Sequence, residues 1–351
     1  MESHQSPSTN SSSNGQKNIM PNIDVARSWS SQTLVREQDA LVYQLPREAI
    51  AQIDQALGFA RANGLTVETM EQEDFRIPAL ARALPDLRHR LDAGRGIVIL
   101  RGLDAESFSE ADAEIVTWGI GNYFGRPIRQ GLEKDRRFFT VTDRGVENKD
   151  PTRIGATAKI SAMHSDNGCL EPRPPCYVGL FCYRQAVSGG ESMLISAQTV
   201  HDVIADERPD LLPLFFQEYH FRPPHLHVWP AGEPTIIKPI LEAHSDELRI
   251  HYARVMIEPG MELAETPLND VQREALDYLD SVLAREDLYF QYQLNDGEML
   301  IFNNLALLHG RKAFTSDHNG GRILKRIWMW RRHIGPGDDP VALDHAEFGL
   351  K

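Results

Sequence analysis

Cysteine is scarce in this sequence. Its 351 residues include three cysteines, Cys169, Cys176 and Cys182, and all of them fall within one short segment. A disulfide framework normally uses a larger and even number of cysteines. The sequence is therefore not typical of a disulfide-stabilised secreted protein, and we expect it to work in a reducing, cytoplasmic compartment.

Long apolar runs and an excess of positive charge are also missing. No stretch approaches the roughly 20 apolar residues that a membrane-spanning helix needs. Lysine and arginine total 37 against 50 aspartates and glutamates, so the formal net charge is −13. Because a nucleic-acid-binding protein presents a basic face, this balance argues against a nucleic-acid partner. The composition fits better with a soluble protein that acts on small molecules. The sequence does not decide whether the protein forms a homo-oligomer.

The start of the chain lacks the apolar residues that folding requires. Residues 1–35 are rich in Ser, Asn, Gln and Pro, and such segments bury too little surface to offset the cost of ordering. They also lack the apolar stretch of a secretory signal. We expect a disordered tail over residues 1–35 and a single domain over residues 36–351, since neither a repeat nor a second domain boundary is visible.

Short strands bounded by turn signals are the commonest pattern in this domain. The apolar run of residues 97–100 lies between two glycines, as in a buried strand. The turn Asn295-Asp296-Gly297 is a strong hairpin signal. Helical spacing is concentrated toward the front, for example over residues 46–64. The sequence predicts an α+β, β-rich fold with one β core and a helical cover.

One short stretch has the spacing of a metal site. His164 and Asp166 are two residues apart, so on an extended strand both side chains point to the same face. His309 is the best candidate for a third ligand. Two histidines and one carboxylate form the facial triad of non-haem Fe(II) oxygenases, whose open positions bind cosubstrate and dioxygen. A His-x-Asp triplet is weak evidence alone.

Two arginines beyond His309 strengthen this interpretation. The run Arg322-Ile323-Leu324-Lys325-Arg326-Ile327-Trp328-Met329-Trp330 reads as a strand, because it is rich in β-branched and aromatic residues. Arg322 and Arg326 share one face of it with Leu324, Trp328 and Trp330. An inward arginine needs an anion, since an unpaired buried charge is very costly. A dicarboxylic cosubstrate can supply one.

In these motifs the chain resembles the taurine dioxygenase and clavaminate synthase-like group of Fe(II)/2-oxoglutarate oxygenases. The match covers roughly residues 95–333. The residues that carry it are His164, Asp166, His309, Gly310, Arg311, Phe314, Arg322 and Arg326, together with Gly189-Gly190-Glu191-Ser192. The resemblance implies a double-stranded β-helix, or jelly roll, with Fe(II), 2-oxoglutarate and O2 as cofactor and cosubstrates.

The resemblance also implies roles for individual residues. His164, Asp166 and His309 would bind Fe(II), Arg322 and Ser192 would hold the far carboxylate of 2-oxoglutarate, and Arg326 would bind an anionic group of the substrate. The implied reaction is hydroxylation of an unactivated C–H bond. Desaturation or oxidative cyclisation can follow the same initial hydrogen abstraction. The expected substrate is a small anion, such as an amino acid or a specialised metabolite.

Other functions use part of the same pattern. A sulfonate or carboxylate catabolic dioxygenase of the taurine type would share every motif. A zinc hydrolase, or a jelly-roll protein that only binds metal, would use the three ligands but would have no reason to keep Arg322 and Ser192.

Three further stretches carry weaker expectations. The family usually has Asp-Asn where this chain has Asn303-Asn304, so we expect a carboxylate behind the metal ligands to be absent. The polar residues 145–156 form either a loop that closes over substrate or an ordinary connection. His225-Leu226-His227 is expected in a loop or in the lining of the substrate pocket.

Overall fold

The structure is a computed structural model that describes residues 27–128, 130, 138–145, 155–168, 174–223, 234–244, 247–315 and 321–331. Within these residues the helices are α1 (Ser31–Arg36), α2 (Gln38–Leu41), α3 (Arg47–Ala62), α4 (Pro78–Asp92), α5 (Glu110–Phe124), α6 (Ala197–Glu207), α7 (Leu212–Phe215), α8 (Arg254–Leu263) and α9 (Asp270–Leu283). None of them is long and apolar enough to cross a membrane.

The strands are short and run through the whole described chain. They are β1 (Val42–Gln44), β2 (Ile97–Arg101), β3 (Arg126–Ile128), β4 (Phe139–Val141), β5 (Ser161–His164), β6 (Tyr177–Arg184), β7 (Ser188–Gly189), β8 (Ser192–Ser196), β9 (Glu218–Phe221), β10 (Ile236–Pro239), β11 (Leu241–His244), β12 (Glu247–Ile250), β13 (Phe290–Tyr292), β14 (Met299–Asn303), β15 (Leu307–Arg311), β16 (Phe314–Thr315) and β17 (Ile323–Trp330).

Two sheets dominate the described part of the fold. The larger has the order β1-β2-β14-β6-β17-β3, with β4 also paired to β17. The smaller has the order β13-β8-β15-β5. Side chains from both sheets, among them Leu180, Leu194 and Leu300, share one buried cluster. The two sheets therefore face each other across an apolar interior.

Helices cover the outer faces of both sheets. Because side chains alternate along a strand, β14 sends Leu300 and Phe302 into the interior and Met299 and Ile301 outward. The outward set packs with α3, α4 and α5. The outer face of the smaller sheet packs with α6, α8 and α9. The predicted β-rich core with helical cover is confirmed, and the arrangement of two facing sheets is the one that the resemblance implied.

Helix α5 is fixed to its surroundings by charged contacts. Ser109 and Asp112 form a capping box at its start, and the Asp112 carboxylate accepts two hydrogen bonds from Arg61 at 2.8 and 2.7 Å. From β17, the buried Lys325 reaches back to Glu110 and Glu114 of this helix at 2.5 and 2.7 Å. The helix is thus tied to the strand that carries Arg326 and that begins directly after Arg322.

The front of the folded region begins earlier than predicted. Residues 27–35 were assigned to the disordered tail, but α1 begins at Ser31 and both Trp29 and Leu34 are buried. The Trp29 amide donates a hydrogen bond to Thr199 of α6 at 3.0 Å. The prediction was therefore wrong for this stretch, since two apolar side chains suffice to dock it on the core.

One helix was missing from the prediction, and two predicted segments lie largely or wholly outside the described residues. Helix α8 was not predicted, because Pro259 lies inside it and proline normally marks a helix boundary. The predicted loop at residues 145–156 falls largely, and His225-Leu226-His227 wholly, outside the described residues.

Candidate metal centre and cosubstrate site

Two neighbouring strands present the predicted histidines to each other. His164 ends β5 and His309 lies in the middle of β15, and the two are direct register partners in the smaller sheet. Directly opposed residues of an antiparallel pair point to the same face. Their imidazole centroids are accordingly 4.3 Å apart. The pairing of β5 with β15 thus brings together two residues that are far apart in the sequence.

Asp166 is held in place by the backbone that follows β5. Its N–H donates to the Oδ1 atom of Asn304 at 2.8 Å, and the Nδ2 atom of Asn304 donates to its carbonyl at 2.9 Å. The same Nδ2 atom also donates to the carbonyl of Pro175 at 2.9 Å. One buried amide therefore fixes the turn that carries the carboxylate.

The three candidate ligands converge on one point. The His164 Nε2 atom is 3.4 Å from Asp166 Oδ1, and the His309 Nε2 atom is 3.7 Å from Asp166 Oδ2. All three ligand atoms lie within 4.8 Å of one another. Two donors on one ion with bonds of about 2.1 Å can be at most about 4.2 Å apart. The two carboxylate–imidazole distances, one to each oxygen of Asp166, are within this limit. The overall spread of up to 4.8 Å is slightly wider, so small side-chain shifts would let these residues share a divalent metal.

Both imidazoles are in the state that a metal needs. The carbonyl of Ala162 accepts a hydrogen bond from Nδ1 of His164 at 2.8 Å, which leaves the lone pair on Nε2. Burial, together with His164, lowers the pKa of His309 to about 3. Its ring is therefore neutral at physiological pH. Its Nδ1 atom is buried without a partner among the described residues.

The Asp166 carboxylate receives hydrogen bonds from two residues of β17. Trp328 Nε1 donates to Oδ2 at 2.8 Å. Arg326 Nη1 lies 3.1 Å from Oδ1 and 3.0 Å from Oδ2. Burial opposes ionisation of Asp166, but Arg326 and the two histidines outweigh it and hold the pKa of Asp166 well below its usual range. The carboxylate is charged throughout the physiological range.

Arg322 has one nitrogen left for a ligand. It is 1% exposed; its Nε atom donates to Gln185 at 3.1 Å and its Nη2 atom donates to the carbonyl of Gly190 at 3.0 Å. Its Nη1 atom is buried without a partner among the described residues. Burial lowers the pKa of Arg322 to about 10, which leaves it charged at neutral pH. An orphaned buried guanidinium nitrogen is what a carboxylate of a bound cosubstrate would satisfy.

A second buried guanidinium lies nearby. Arg311 and Arg322 both stack on the ring of Phe314, at 4.6 and 5.4 Å from its centroid. Nη2 of Arg311 donates to the carbonyls of Thr157 and Lys159, whereas its Nε and Nη1 atoms are buried and have no partner in the part of the chain that the structure describes. Burial and the neighbouring Arg322 lower the pKa of Arg311 to about 10. This region of the interior therefore carries two positive charges.

Ser192 lies beside this pair of arginines. It is buried on β8 and is the register partner of Arg311 on β15, so the two side chains share a face. It is also two residues beyond Gly190, whose carbonyl Arg322 binds. The strand pairing thus brings Ser192 next to Arg311 and close to the segment that Arg322 contacts.

Arg326 is more constrained than the sequence suggested. In addition to Asp166 it bonds Gln130 through Nε at 3.0 Å, and it stacks on Phe139 and Trp328 at 4.9 and 4.6 Å from their centroids. Its side chain is nevertheless 17% exposed. No hydrogen bond to its Nη2 atom occurs within the described residues. A nearby aspartate does satisfy part of this arginine, and one edge of it stays available.

The structure shows what Asn303 does at the position where the family usually has an aspartate. Its Oδ1 atom accepts hydrogen bonds from the amides of Leu305 and Ala306 at 3.0 and 3.3 Å, a task that needs an oxygen rather than a charge. Its Nδ2 atom donates to the buried carboxylate of Glu247 at 3.1 Å. Asn303 makes no hydrogen bond to a candidate metal ligand among the described residues. A buried carboxylate, that of Glu247, is thus bound to Asn303 itself.

Sequence reasoning missed the residues that orient the ligands. Trp328 was recognised only as a member of an inward face, and Gln185 and Gln130 carried no signal. Asn304 was noticed as part of a dipeptide without its contact to Asp166. These contacts join segments more than 130 residues apart, so no local pattern could reveal them.

Comparison with known proteins places these features in a family context. The model of the family described as "Taurine catabolism dioxygenase TauD, TfdA family" matches residues 61–328. FR-33289 synthase of Streptomyces rubellomurinus is 24% identical over 334 residues, which cover 93% of this chain and 95% of that protein. The taurine hydroxylase-like protein SAT17 of Stachybotrys chartarum is 26% identical over 335 residues, covering 89% and 82%.

Solved structures show the same fold. Asparagine oxygenase in complex with Fe(II), 3-hydroxyasparagine and succinate superimposes with a TM-score of 0.66 at 20% identity, covering 82% of this chain and 93% of that one. The non-heme iron oxygenase OrfP with Fe and alpha-ketoglutaric acid gives a TM-score of 0.59 at 16% identity, with 82% and 93% covered.

Proposed function

The chain belongs to the TauD/TfdA family of taurine catabolism dioxygenases and is therefore an Fe(II)- and 2-oxoglutarate-dependent dioxygenase, and we propose that His164, Asp166 and His309 bind its iron. The observation that carries this assignment is the convergence of three ligand atoms from β5, the turn after it and β15. The His309 imidazole is neutral and the Asp166 carboxylate is charged, as ligation requires.

Each side chain around the iron site has a defined task in this proposal. The Nη1 atom of Arg322 and the hydroxyl of Ser192 hold the far carboxylate of 2-oxoglutarate, and Arg311 adds positive charge beside them. Iron with 2-oxoglutarate and dioxygen supplies the oxidant that removes hydrogen from a C–H bond. The rings of Phe139 and Trp328 flank the guanidinium of Arg326 and would shield it in part from water. Hydroxylation is the default outcome.

The substrate in this proposal is a small anion that uses the open edge of Arg326. A divalent ion that shares Asp166 would leave the positive charge of Arg326 less compensated, so a substrate carboxylate, sulfonate or similar group would be attracted there. The relatives support a small metabolite: one solved structure contains hydroxyasparagine and another contains dihydroxyarginine. An amino acid or a related specialised metabolite is therefore the substrate class that we propose.

A substrate screen with the full-length protein tests this function. Iron, 2-oxoglutarate and air are supplied with a panel of amino acids and other small anions, and succinate is measured together with products that gain one oxygen or lose two hydrogens. Once a substrate is found, Arg326→Ala should raise its KM, and Fe(II) binding is measured in the same variant because Arg326 also contacts Asp166. Fast turnover of a substrate without any anionic group would contradict the role of Arg326.

A further inference from the structure

Trp328 makes a contact that the reaction described above does not explain. Its indole N–H donates to Oδ2 of Asp166 at 2.8 Å, and both residues are buried, at 6% and 5% exposure. An indole N–H can only donate. It therefore restricts the oxygen that it binds, whatever else enters the site.

The two carboxylate oxygens of Asp166 are not equivalent. Oδ2 accepts from both Trp328 and Arg326, at 2.8 and 3.0 Å. Among the described residues Oδ1 accepts from Arg326 alone, at 3.1 Å. Oδ1 lies 3.4 Å from Nε2 of His164, and Oδ2 lies 3.7 Å from Nε2 of His309. A carboxylate has about four lone-pair positions, so Oδ2 is filled by protein donors whereas Oδ1 keeps one position free.

Arg326 adds a second restriction. Its Nη1 atom is almost equidistant from Oδ1 and Oδ2, so its positive charge bridges both oxygens and would repel an ion chelated by the two of them. The guanidinium is in turn stacked on Phe139 and Trp328 and is held by Gln130. Trp328 thus acts on Asp166 directly through its N–H and indirectly through its ring.

From these contacts we propose that Trp328 is a positioning residue that makes Asp166 a one-oxygen metal ligand through Oδ1. The facial triad works because three positions stay open on the iron. A carboxylate that bound through both oxygens would take one of them and compete with chelation by 2-oxoglutarate. This inference rests on the proposed metal site and goes beyond it, because it names which oxygen binds and what enforces that choice.

The substitution Trp328→Phe tests the proposal because it keeps an aromatic ring and removes only the N–H donor and part of the ring. Trp118→Phe is the matched control. Trp118 is a buried tryptophan of α5 whose indole nitrogen has no partner among the described residues, so the same chemical change there removes no hydrogen bond. Both variants are checked for folding by circular dichroism and thermal unfolding.

The readouts do not depend on turnover. Fe(II) affinity is measured without oxygen by equilibrium dialysis, and Co(II) is used as a second metal because its visible spectrum reports coordination number. Loss of an orienting donor behind a ligand typically weakens metal binding about 10- to 100-fold. We expect Trp328→Phe to fall in that range, to change the Co(II) spectrum and to weaken the visible absorption that appears when 2-oxoglutarate chelates Fe(II). Trp118→Phe should match wild type.

The results separate failure of this inference from failure of the proposed function. If wild type binds no Fe(II) and forms no succinate, the metal site itself is wrong. If wild type does both, and Trp328→Phe equals Trp118→Phe in affinity and spectra, Trp328 has no positioning role.

A further measurement covers the case in which Trp328→Phe does not fold. The five tryptophans of wild type give indole N–H resonances, and one of them should shift on titration with Zn(II). No shift in any of them would also overturn the proposal.

Discussion

Removing the guanidinium of Arg322 should weaken 2-oxoglutarate binding, and the contacts of Arg322 limit how large the loss of affinity can be. Loss of one partner of a buried charge pair costs about 2–5 kcal/mol, which is roughly 30-fold to several thousand-fold in affinity. Two nitrogens of Arg322 are already committed to Gln185 and Gly190. Arg311 would still contribute positive charge in Arg322→Ala. We therefore expect the lower part of the range, about 30- to 300-fold.

The assay is a calorimetric titration of 2-oxoglutarate into metal-loaded protein without oxygen, so that turnover plays no part. Arg184→Ala is the control, since Arg184 ends β6 opposite Ile323 and stacks on Tyr183; it removes a nearby positive charge and should leave the affinity unchanged. Ser192→Ala should cost about one hydrogen bond, roughly 2- to 10-fold. An Arg322→Ala protein that is folded and binds 2-oxoglutarate within twofold of wild type would refute the reasoning.

Three further predictions concern the metal and the cover of the larger sheet. His309→Ala should abolish succinate formation while circular dichroism stays close to wild type, because the core does not depend on metal for folding; retained turnover would exclude His309 as a ligand. Lys325→Met should change the free energy of unfolding in urea by no more than about 1 kcal/mol, since Glu110 and Glu114 are partly exposed and can be hydrated. Replacing both glutamates by alanine should instead cost about 3–5 kcal/mol, because the buried charge of Lys325 would lose its partners. The converse order would contradict this account. The hydrogen bond from the Arg61 guanidinium is the main cause that lowers the pKa of Asp112. The stabilisation that Asp112 gives is therefore present above its ordinary pKa of 3.8 and is lost as pH falls. Asp112→Ala should lower the free energy of unfolding in urea by about 1–2 kcal/mol at neutral pH, and this deficit should shrink below about pH 4.

The parts of the site that follow from local spacing could be predicted from the sequence. His164 and Asp166 converge as their spacing suggests, although Asp166 lies in the turn after β5 and not on an extended strand. The inward face of β17 is visible as an alternation that the structure confirms for Leu324, Trp328 and Trp330. Such patterns depend only on the geometry of a strand. The β-rich class with helical cover follows in the same way.

What failed in prediction depends on contacts between distant segments or on overruled local signals. The hydrogen bond of Trp328 to Asp166 spans 162 positions, and that of Asn304 to Asp166 spans 138; each needs the folded sheets to exist. Helix α8 forms despite Pro259 because its apolar side chains are buried in the cluster that also contains side chains of the smaller sheet, α6 and α9. Glu247 as the neighbour of Asn303 was likewise invisible, since it comes from another strand.

The position of β5 at the end of the smaller sheet has a consequence for local stability. This strand carries His164 and precedes Asp166, yet among the described strands it pairs with β15 alone. A strand with one neighbour opens more readily than one in the centre of a sheet. An ion bound to His164 and His309 would act as a cross-link between β5 and β15. Amide protons of residues 161–164 should therefore exchange quickly in metal-free protein and slow down on metal binding, whereas those of β6 and β14, each held between two neighbours, should exchange slowly in both states.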